Sequence, residues 1–351
     1  MIISAARGGW VEIQLNHDVT SKAWDHYVQS APRATFFHLT GWRRVVEKSF
    51  GHRAFYLHAE EGGIIRGVLP LFYLRSLLFG RSLVSVPFGV YGGIVADNRE
   101  VEASLLGAAQ GLAQQLRVQY LELRHLHKTD LHLPTKALYV TFQRGIDRDL
   151  DKNMAAIPRK QRRMIRQGMS HGLTSRIGDE PLNEFYEIYA HSCRNLGTPV
   201  FSRRFFQNLQ RELGEACKIL SVWHEGKMVA GVMTFFFKDW VMPYYGGGLR
   251  EYFAYAINDF MYWELMRYGC EHGYRVFDFG RSKQGTGAFD FKRHWGFEPQ
   301  PLCYQYYLYK SRDMPNLSPA NPKFRIFIDL WKHIPLPITK YLGPMIVRSI
   351  P

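Results

Sequence analysis

Apolar and polar positions along this chain fall into two series that resemble each other. "EGGIIRGVLPLFYL" (61–74) and "EGKMVAGVMTFFFK" (225–238) lie 164 residues apart. Each reads as an apolar strand, a glycine turn and a second apolar strand, the pattern of a β-hairpin. Gly62, Gly67, Val68 and Phe72 recur at that displacement as Gly226, Gly231, Val232 and Phe236; upstream, Phe37 and Phe201 each open an amphipathic helical stretch. Downstream, "PFGVYGGIV" from Pro87 answers to "PYYGGGL" from Pro243. A helical segment follows each ("VEASLLGAAQGLAQQL" and "YAINDFMYWELMRYGCEHG"), and then a strand ("YLELR", 120–124, and "VFDFGR", 276–281). Several coincidences in one order predict two copies of one α/β module, ordered helix, hairpin, strand, helix, strand, helix. The implied division is 1–150 and 181–310 for the modules, with a basic linker helix at 151–180 and a C-terminal tail at 311–351.

The densest chemistry lies in "FGRSKQGTGAFDFKRHWG" (279–296), where an apolar run gives way to a glycine loop and a basic, aromatic helical segment. Such a loop can cradle a phosphate with its backbone N–H groups, or simply connect two elements. It is not a P-loop, since Lys283 precedes Gly285 and no Gly-Lys pair follows. It is not a Rossmann turn either, because Asp290 stands where the third glycine belongs. Nor does it fit the coenzyme A loop Gln/Arg-x-x-Gly-x-Gly/Ala: Ser282 holds the first position and Arg281 comes one residue early.

Charge narrows the partners. The 351 residues carry 45 Lys and Arg against 31 Asp and Glu, a formal net charge of +14, which favours nucleic acid, phosphorylated substrates or an acidic membrane surface. Part of that excess is local: "IPRKQRRMIRQG" holds Arg159, Lys160, Arg162, Arg163 and Arg166. On a helix these spread around most of the circumference, as a solvated linker or as a contact with phosphates of a substrate or RNA. A content of 46% hydrophobic and 15% aromatic residues is that of a well-buried globular chain. Cys193, Cys217, Cys270 and Cys303 form no Cys-x-x-Cys pair and read as free thiols in a reducing compartment. The N-terminus lacks a secretion signal and no window of about 18 apolar residues occurs, so a cytoplasmic location is expected, at most peripheral at the inner membrane. His125, His127 and His132 in "RHLHKTDLH" could bind zinc, but no cysteine or carboxylate completes a recognised site, and no metal is expected. The tail "FRIFIDLWKHIPLPITKYLGPMIVRSIP" is apolar, aromatic and basic; it either lies on an acidic membrane surface or covers a face of the modules. Pro335 and Pro337 prevent one long interfacial helix and favour docking on the protein.

"GWRRVVEKSFGH", "VPFGVYGGIVAD", "IPRKQRRMIRQG", "AINDFMYWELMRYGCEHGYRVFDFGRS" and "GTGAFDFKRHWGFEPQPL", spread over roughly 35–305, resemble the FemAB family of tandem-GNAT aminoacyl and acyl transferases. The branch most similar is that associated with exosortase (PEP-CTERM) and exopolysaccharide systems. The resemblance implies an α/β (α+β) fold of two GNAT-like modules in which an amine attacks an activated acyl ester. It also implies a donor that is aminoacyl-tRNA or acyl-CoA, with no tightly bound cofactor. The acceptor would be a phosphorylated or lipid-linked envelope, peptidoglycan or polysaccharide precursor. The GNAT pyrophosphate turn would fall in "GGGLREYFAYAIN", which lacks the coenzyme A motif, so the resemblance weighs against ordinary coenzyme A binding in the second module.

By the same resemblance Lys292 stabilises the developing oxyanion or a diphosphate, and Asp97 lies near the acceptor cleft. A solvated helix lysine and a turn aspartate are the plainer readings of these two. Arg281 and Lys283 would add charge for the acceptor's diphosphate or carboxylate. Tyr91, Tyr245, Asn258 and Trp42 are candidates for substrate contact, with core packing or capping as the plainer reading. Arg159, Lys160 and Arg163 are candidates for phosphate or RNA contact. Two rival functions stay open: an acetyl-CoA-dependent N-acetyltransferase acting on an amino sugar, and a non-catalytic scaffold of the polysaccharide machinery.

Overall fold

A computed structural model describes residues 12–16, 21–76, 80–315 and 322–350. Residues 1–11, which include most of the segment read as lacking a secretion signal, and 316–321 of the tail lie outside them. The chain forms two compact units: one comprises 1–138, 302–316 and 348–351, the other 139–301 and 317–347.

The first unit runs through β1 (Glu12–Asn16), α1 (Ser21–Ser30), α2 (Thr40–Phe50), β2 (Arg53–Glu61), β3 (Ile64–Ser76), β4 (Gly80–Val84), β5 (Val95–Ala96), α3 (Arg99–Gln115), β6 (Tyr120–His125) and β7 (Thr135–Lys136). The second begins with β8 (Tyr139–Gly145), α4 (Leu150–Ala156), α5 (Arg159–Ser170), β9 (Thr174–Gly178), α6 (Leu182–Leu196) and α7 (Arg203–Leu213). It continues with β10 (Cys217–His224), β11 (Lys227–Phe237), β12 (Trp240–Gly248), α8 (Ile257–Glu271), β13 (Val276–Asp278), β14 (Ser282–Lys283), α9 (Gly287–His294) and β15 (Pro299–Pro301). β16 (Cys303–Leu308) returns to the first unit, and α10 (Pro322–Trp331) and α11 (Leu336–Val347) belong to the second.

The two sheets share one plan. The first is ordered β1-β2-β3-β4-β6-β16-β7 and the second, read from its other edge, β9-β10-β11-β12-β13-β8-β14; β5 joins β3 and β15 joins β8. The pairings β4–β6 and β12–β13 are parallel, and the others are antiparallel. β2 and β10 begin 164 residues apart, at Arg53 and Cys217, and so do β8 and β16, at Tyr139 and Cys303. β8 and β16 are therefore equivalent strands, and each completes the sheet of the opposite repeat. This corrects the division read from the sequence. The boundary falls at Leu138, β8 is the sixth strand of the second sheet, and 303–308 leaves it. Nor is 151–180 a linker, because α5 packs on α8 and β9 forms the sheet's edge.

Both sheets are covered on both faces, which is why their strands read as nearly unbroken apolar runs rather than alternating ones. In the first, Leu57, Ala59, Leu69 and Leu71 pack with Val101, Leu105 and Ala109 of α3, whose N-terminus is capped by the Asn98 side chain. Tyr56 meets Trp24 at 4.6 Å between ring centroids, and Phe37 meets Trp42 at 4.9 Å. In the second, Val222, Val229, Phe260, Met261, Leu265 and Met266 form the core beneath α8, while Phe206 packs edge-on to Tyr189 and Tyr245.

The segment between β4 and β5 is buried without regular structure. A buried ion pair, Arg124 Nε to Glu122 at 2.8 Å, lets Arg124 Nη1 donate to the carbonyls of Val86 and Gly89 at 3.0 and 2.8 Å. Gly93 is forced to be glycine, since a Cβ there would lie 2.0 Å from His125 Cδ2. That ring is itself buried and accepts from Ile94 N at 2.9 Å. Gly93→Ala is expected to cost ~1–3 kcal/mol and to lower the melting temperature by several degrees in a calorimetric scan.

Candidate active site

The opening of the second unit's loop is set by Asp278, the last residue of β13. Its carboxylate is almost wholly buried and accepts from Gly280 N at 2.7 Å, Gln143 Nε2 at 3.0 Å and, more weakly, Thr141 Oγ1 at 3.4 Å. Gln143 and Thr141 come from β8, so the exchanged strand builds the site. Gly280 takes a φ of 67°, which turns the chain; Ser282 and Lys283 then pair with Val140 and Tyr139 of β8 as a short strand. Gly285 makes the next turn at φ 75°, and Thr286 caps α9, its Oγ1 accepting from Phe289 N and donating to Lys283 O at 2.8 Å. The glycine segment is thus a short edge strand between two fixed turns rather than a loose connection.

Lys292 stands in the last turn of α9, over the Phe142 ring, with its Nζ donating to the carbonyls of Gly280 at 3.0 Å and Arg281 at 3.2 Å. Burial pushes the ammonium down to about 7; Asp278 opposes that fall and Arg281 adds to it. The head is therefore tied to the turn by two of its three protons, where the sequence suggested a free charge. The Arg281 guanidinium lies 4.5 Å from the Tyr139 ring centroid, and Lys283 is half-buried beside it. Arg281, Lys283 and Lys292 are thus brought together on one strand–turn–helix segment. Ser282 adds a buried Oγ with no hydrogen-bond partner.

The first unit offers a revealing contrast. β6 and β13 open at corresponding places, so Glu122 answers to Asp278 and Arg124 to Gly280. In the first unit the acid is neutralised by that arginine and no helix follows; in the second, glycine frees the acid to hold a turn beneath a lysine. One copy is closed by packing and the other carries titratable chemistry.

Other candidates take different places. Trp42 and Tyr91 are 0% and 1% exposed in the first unit's core, Trp42 among Phe36 and Phe37 and Tyr91 against Phe37. Tyr245, 6% exposed, is enclosed by Phe201, Phe205, Phe206 and Tyr189. All three are corrected to core residues, since a ring sealed by other rings presents no face to a substrate. Asp97 is half-exposed in the first unit, accepting from Tyr27 Oη at 2.9 Å and standing 3.7 Å from Arg66, which is the turn reading. Asn258 sits half-buried in the first turn of α8, its Oδ1 close to Gly248 at the end of β12. His125 belongs to the first unit's core, and burial lowers it to about 3. Among the described residues no group of three His, Cys, Asp or Glu side chains is placed to hold a metal. All four cysteines are buried free thiols.

The entry to α8 bears on the donor. Between β12 and α8 runs a 3₁₀ segment, Arg250–Tyr255, ending at Ala256 with φ 55°. Asp259 lies in the first turn of α8, where a helix N-terminus attracts negative charge. Its carboxylate is buried, bonded to Trp295 Nε1 at 2.9 Å and raised by desolvation to about 6. Across from it, α5 buries Gln161, Ile165 and Gly168 as a stripe against α8 and leaves Arg159, Lys160, Arg163 and Arg166 exposed. The charges share one side after all, because three positions, Gln161, Ile165 and Gly168, suffice for the buried contact.

Residues 152–293 match the family model described as "Acetyltransferase (GNAT) domain". With the two sheets of common plan, this makes the chain an acyltransferase built on tandem GNAT-like modules. Its fold is similar to that of FemX, at a TM-score of 0.71 and 17% identity over 85% of this chain and 98% of that one. It is also similar to the C-terminal domain of a putative lysylphosphatidylglycerol synthetase from Agrobacterium fabrum (TM-score 0.57, 14% identity, 82% and 90% covered). A tandem GNAT protein from the clavulanic acid biosynthesis pathway is similar at a TM-score of 0.53 and 13% identity, with 85% and 98% covered. Identities this low establish the fold alone. No curated protein matches the chain by sequence.

Sequence reasoning missed Asp278, Gln143, Thr141, Ser282 and Asp259. Two of these had a signal: Asp278 and Asp259 are carboxylates embedded in the apolar runs "VFDFG" and "AINDFMYW".

Proposed function

We propose that the second unit transfers an acyl or aminoacyl group to an amine on a phosphorylated cell-envelope or exopolysaccharide precursor. The observation that carries this reading is Lys292, held by the 280–281 carbonyls above Asp278 and beside Arg281 and Lys283. The acceptor's anionic group lies against Arg281, Lys283 and the turn; its neutral amine attacks the acyl carbonyl. The C–N bond forms first, the third proton of Lys292 meets the oxyanion that results, and collapse of that oxyanion breaks the donor's C–O or C–S bond. The amine's proton leaves with the alcohol or thiol. FemX and the lysylphosphatidylglycerol synthetase domain, both similar in fold, support an acceptor in the envelope.

The donor we favour is aminoacyl-tRNA. Asp259 occupies the helix entry where a coenzyme A pyrophosphate would sit, and α5 presents four exposed cations that form no ion pair among the described residues. Filter binding of unfractionated tRNA tests this. Arg159→Ala/Lys160→Ala/Arg163→Ala is expected to weaken binding about tenfold or more and to flatten its salt dependence by roughly two to three phosphate contacts. Unchanged tRNA binding, together with stabilisation by acetyl-CoA in a thermal shift, would move the donor to coenzyme A.

A further inference from the structure

α10 and α11 carry apolar side chains on two sides. The inner side is used. Trp331 is 1% exposed, Ile328 abuts Gly197, and Thr339, Gly343 and Val347 turn inward at helical spacing, with Gly343 close against the backbone of Val200. Lys340 fastens α11 to Glu187 of α6 at 2.7 Å. The outer side is not covered. Ile338, Tyr341, Leu342 and Met345 recur at the i, i+3, i+4, i+7 spacing of one helix face and are 36–69% exposed. On α10, Ile326 and Leu330 are 71% and 63% exposed. Of the twelve large apolar side chains exposed among the described residues, seven fall between Ile326 and Met345, so the face is a concentrated feature and not ordinary surface scatter.

We propose that this outer face seats the protein on an anionic lipid surface, with both helices lying in the plane of the interface. Charge decides between occupants. From Pro322 to Arg348 the sequence has five Lys and Arg and a single acid, Asp329, within a chain of net charge +14. A second copy would bring like charge against like, whereas acidic headgroups complement it while the acyl boundary accepts the apolar side chains. Pro335 divides the segment into helices of 10 and 12 residues, and no described helix is long and apolar enough to cross a membrane, so the contact is interfacial. Trp331 and Thr339, fixed inward, hold the hairpin rigid, so little ordering opposes binding. The inference does not depend on the acyl donor or acceptor.

The test is flotation of the full chain with phosphatidylcholine vesicles with and without one quarter phosphatidylglycerol. The chain is expected to float with the anionic vesicles and about tenfold less with the zwitterionic ones. Leu330→Ser/Tyr341→Ser/Met345→Ser is expected to lower the anionic partition about tenfold or more at an unchanged melting temperature. Should that variant melt early, Tyr341→Trp decides: tighter partition supports the proposal, and unchanged partition overturns it. Absence of flotation, equal flotation of the serine variant, or a dimer in sedimentation equilibrium that the serine variant dissociates would each overturn it.

Discussion

Lys292→Met is expected to lower acyl transfer by about 10²–10³, followed as loss of labelled acyl group from its donor. The methionine keeps an unbranched stem over Phe142 but leaves the carbonyls of Gly280 and Arg281 without their donor. A stability loss of about 1–2 kcal/mol should accompany the change, too small to explain the rate. The pH profile separates charge from structure. With the ammonium pushed down to about 7 by burial, activity that needs the cation falls as pH rises through 7. Over the interval between that value and the ordinary lysine range, the folded chain binds fewer protons than the unfolded one. This group's contribution to stability therefore increases with pH, and the falling activity cannot be ascribed to unfolding. Lys292→Arg, which stays charged, is expected to retain a fraction of the activity with that limb abolished. A rising limb through pH 7 would instead make Lys292 the base that accepts the amine's proton.

The second large effect concerns fragments. Residues 151–310, the linker helix and second module as divided from the sequence alone, omit β8 and retain β16. The fragment thereby loses the strand to which β14 and β15 pair, the buried Phe142 and both β8 partners of Asp278. It is expected to be insoluble or to melt without a cooperative transition. The fragment 139–301, bounded where the chain passes between units, should retain its far-ultraviolet signature and unfold cooperatively. Equal behaviour of the two fragments would show β8 to be dispensable.

The repeat was legible because duplicated apolar strands keep their spacing, but 61–74 and 225–238 hold a turn and one strand each (β3 and β11), and their hairpin partners β2 and β10 lie upstream, beginning at Arg53 and Cys217. The exchange was not. The apolar residues of "YVTFQRG" mark a buried strand, and say nothing of which of two equivalent sheets receives it. Tyr91 and Tyr245 attracted attention as aromatics beside paired glycines. Close packing requires small residues there: a Cβ at Gly92 would meet Val86 at 2.2 Å, and one at Gly247 would meet Ser192 at 2.7 Å. Lys292 entered as a candidate through the family resemblance. Its tether to Gly280 and Arg281 was not, since only the turn at Asp278 brings a helix side chain back to carbonyls eleven and twelve residues earlier.

The crossed sixth strands also set the order in which the polypeptide can mature on the ribosome. The first sheet receives β16 only after Cys303 has been translated, 164 residues after the equivalent β8 appeared. At about 5–20 residues per second that interval lasts roughly 10–30 s. Through it the β6 edge, bearing Glu122 and Arg124, stands without its neighbour and is open to pairing with another nascent chain. A chain that stops before residue 303 lacks β16, and its first sheet is left with the β6 edge unpaired.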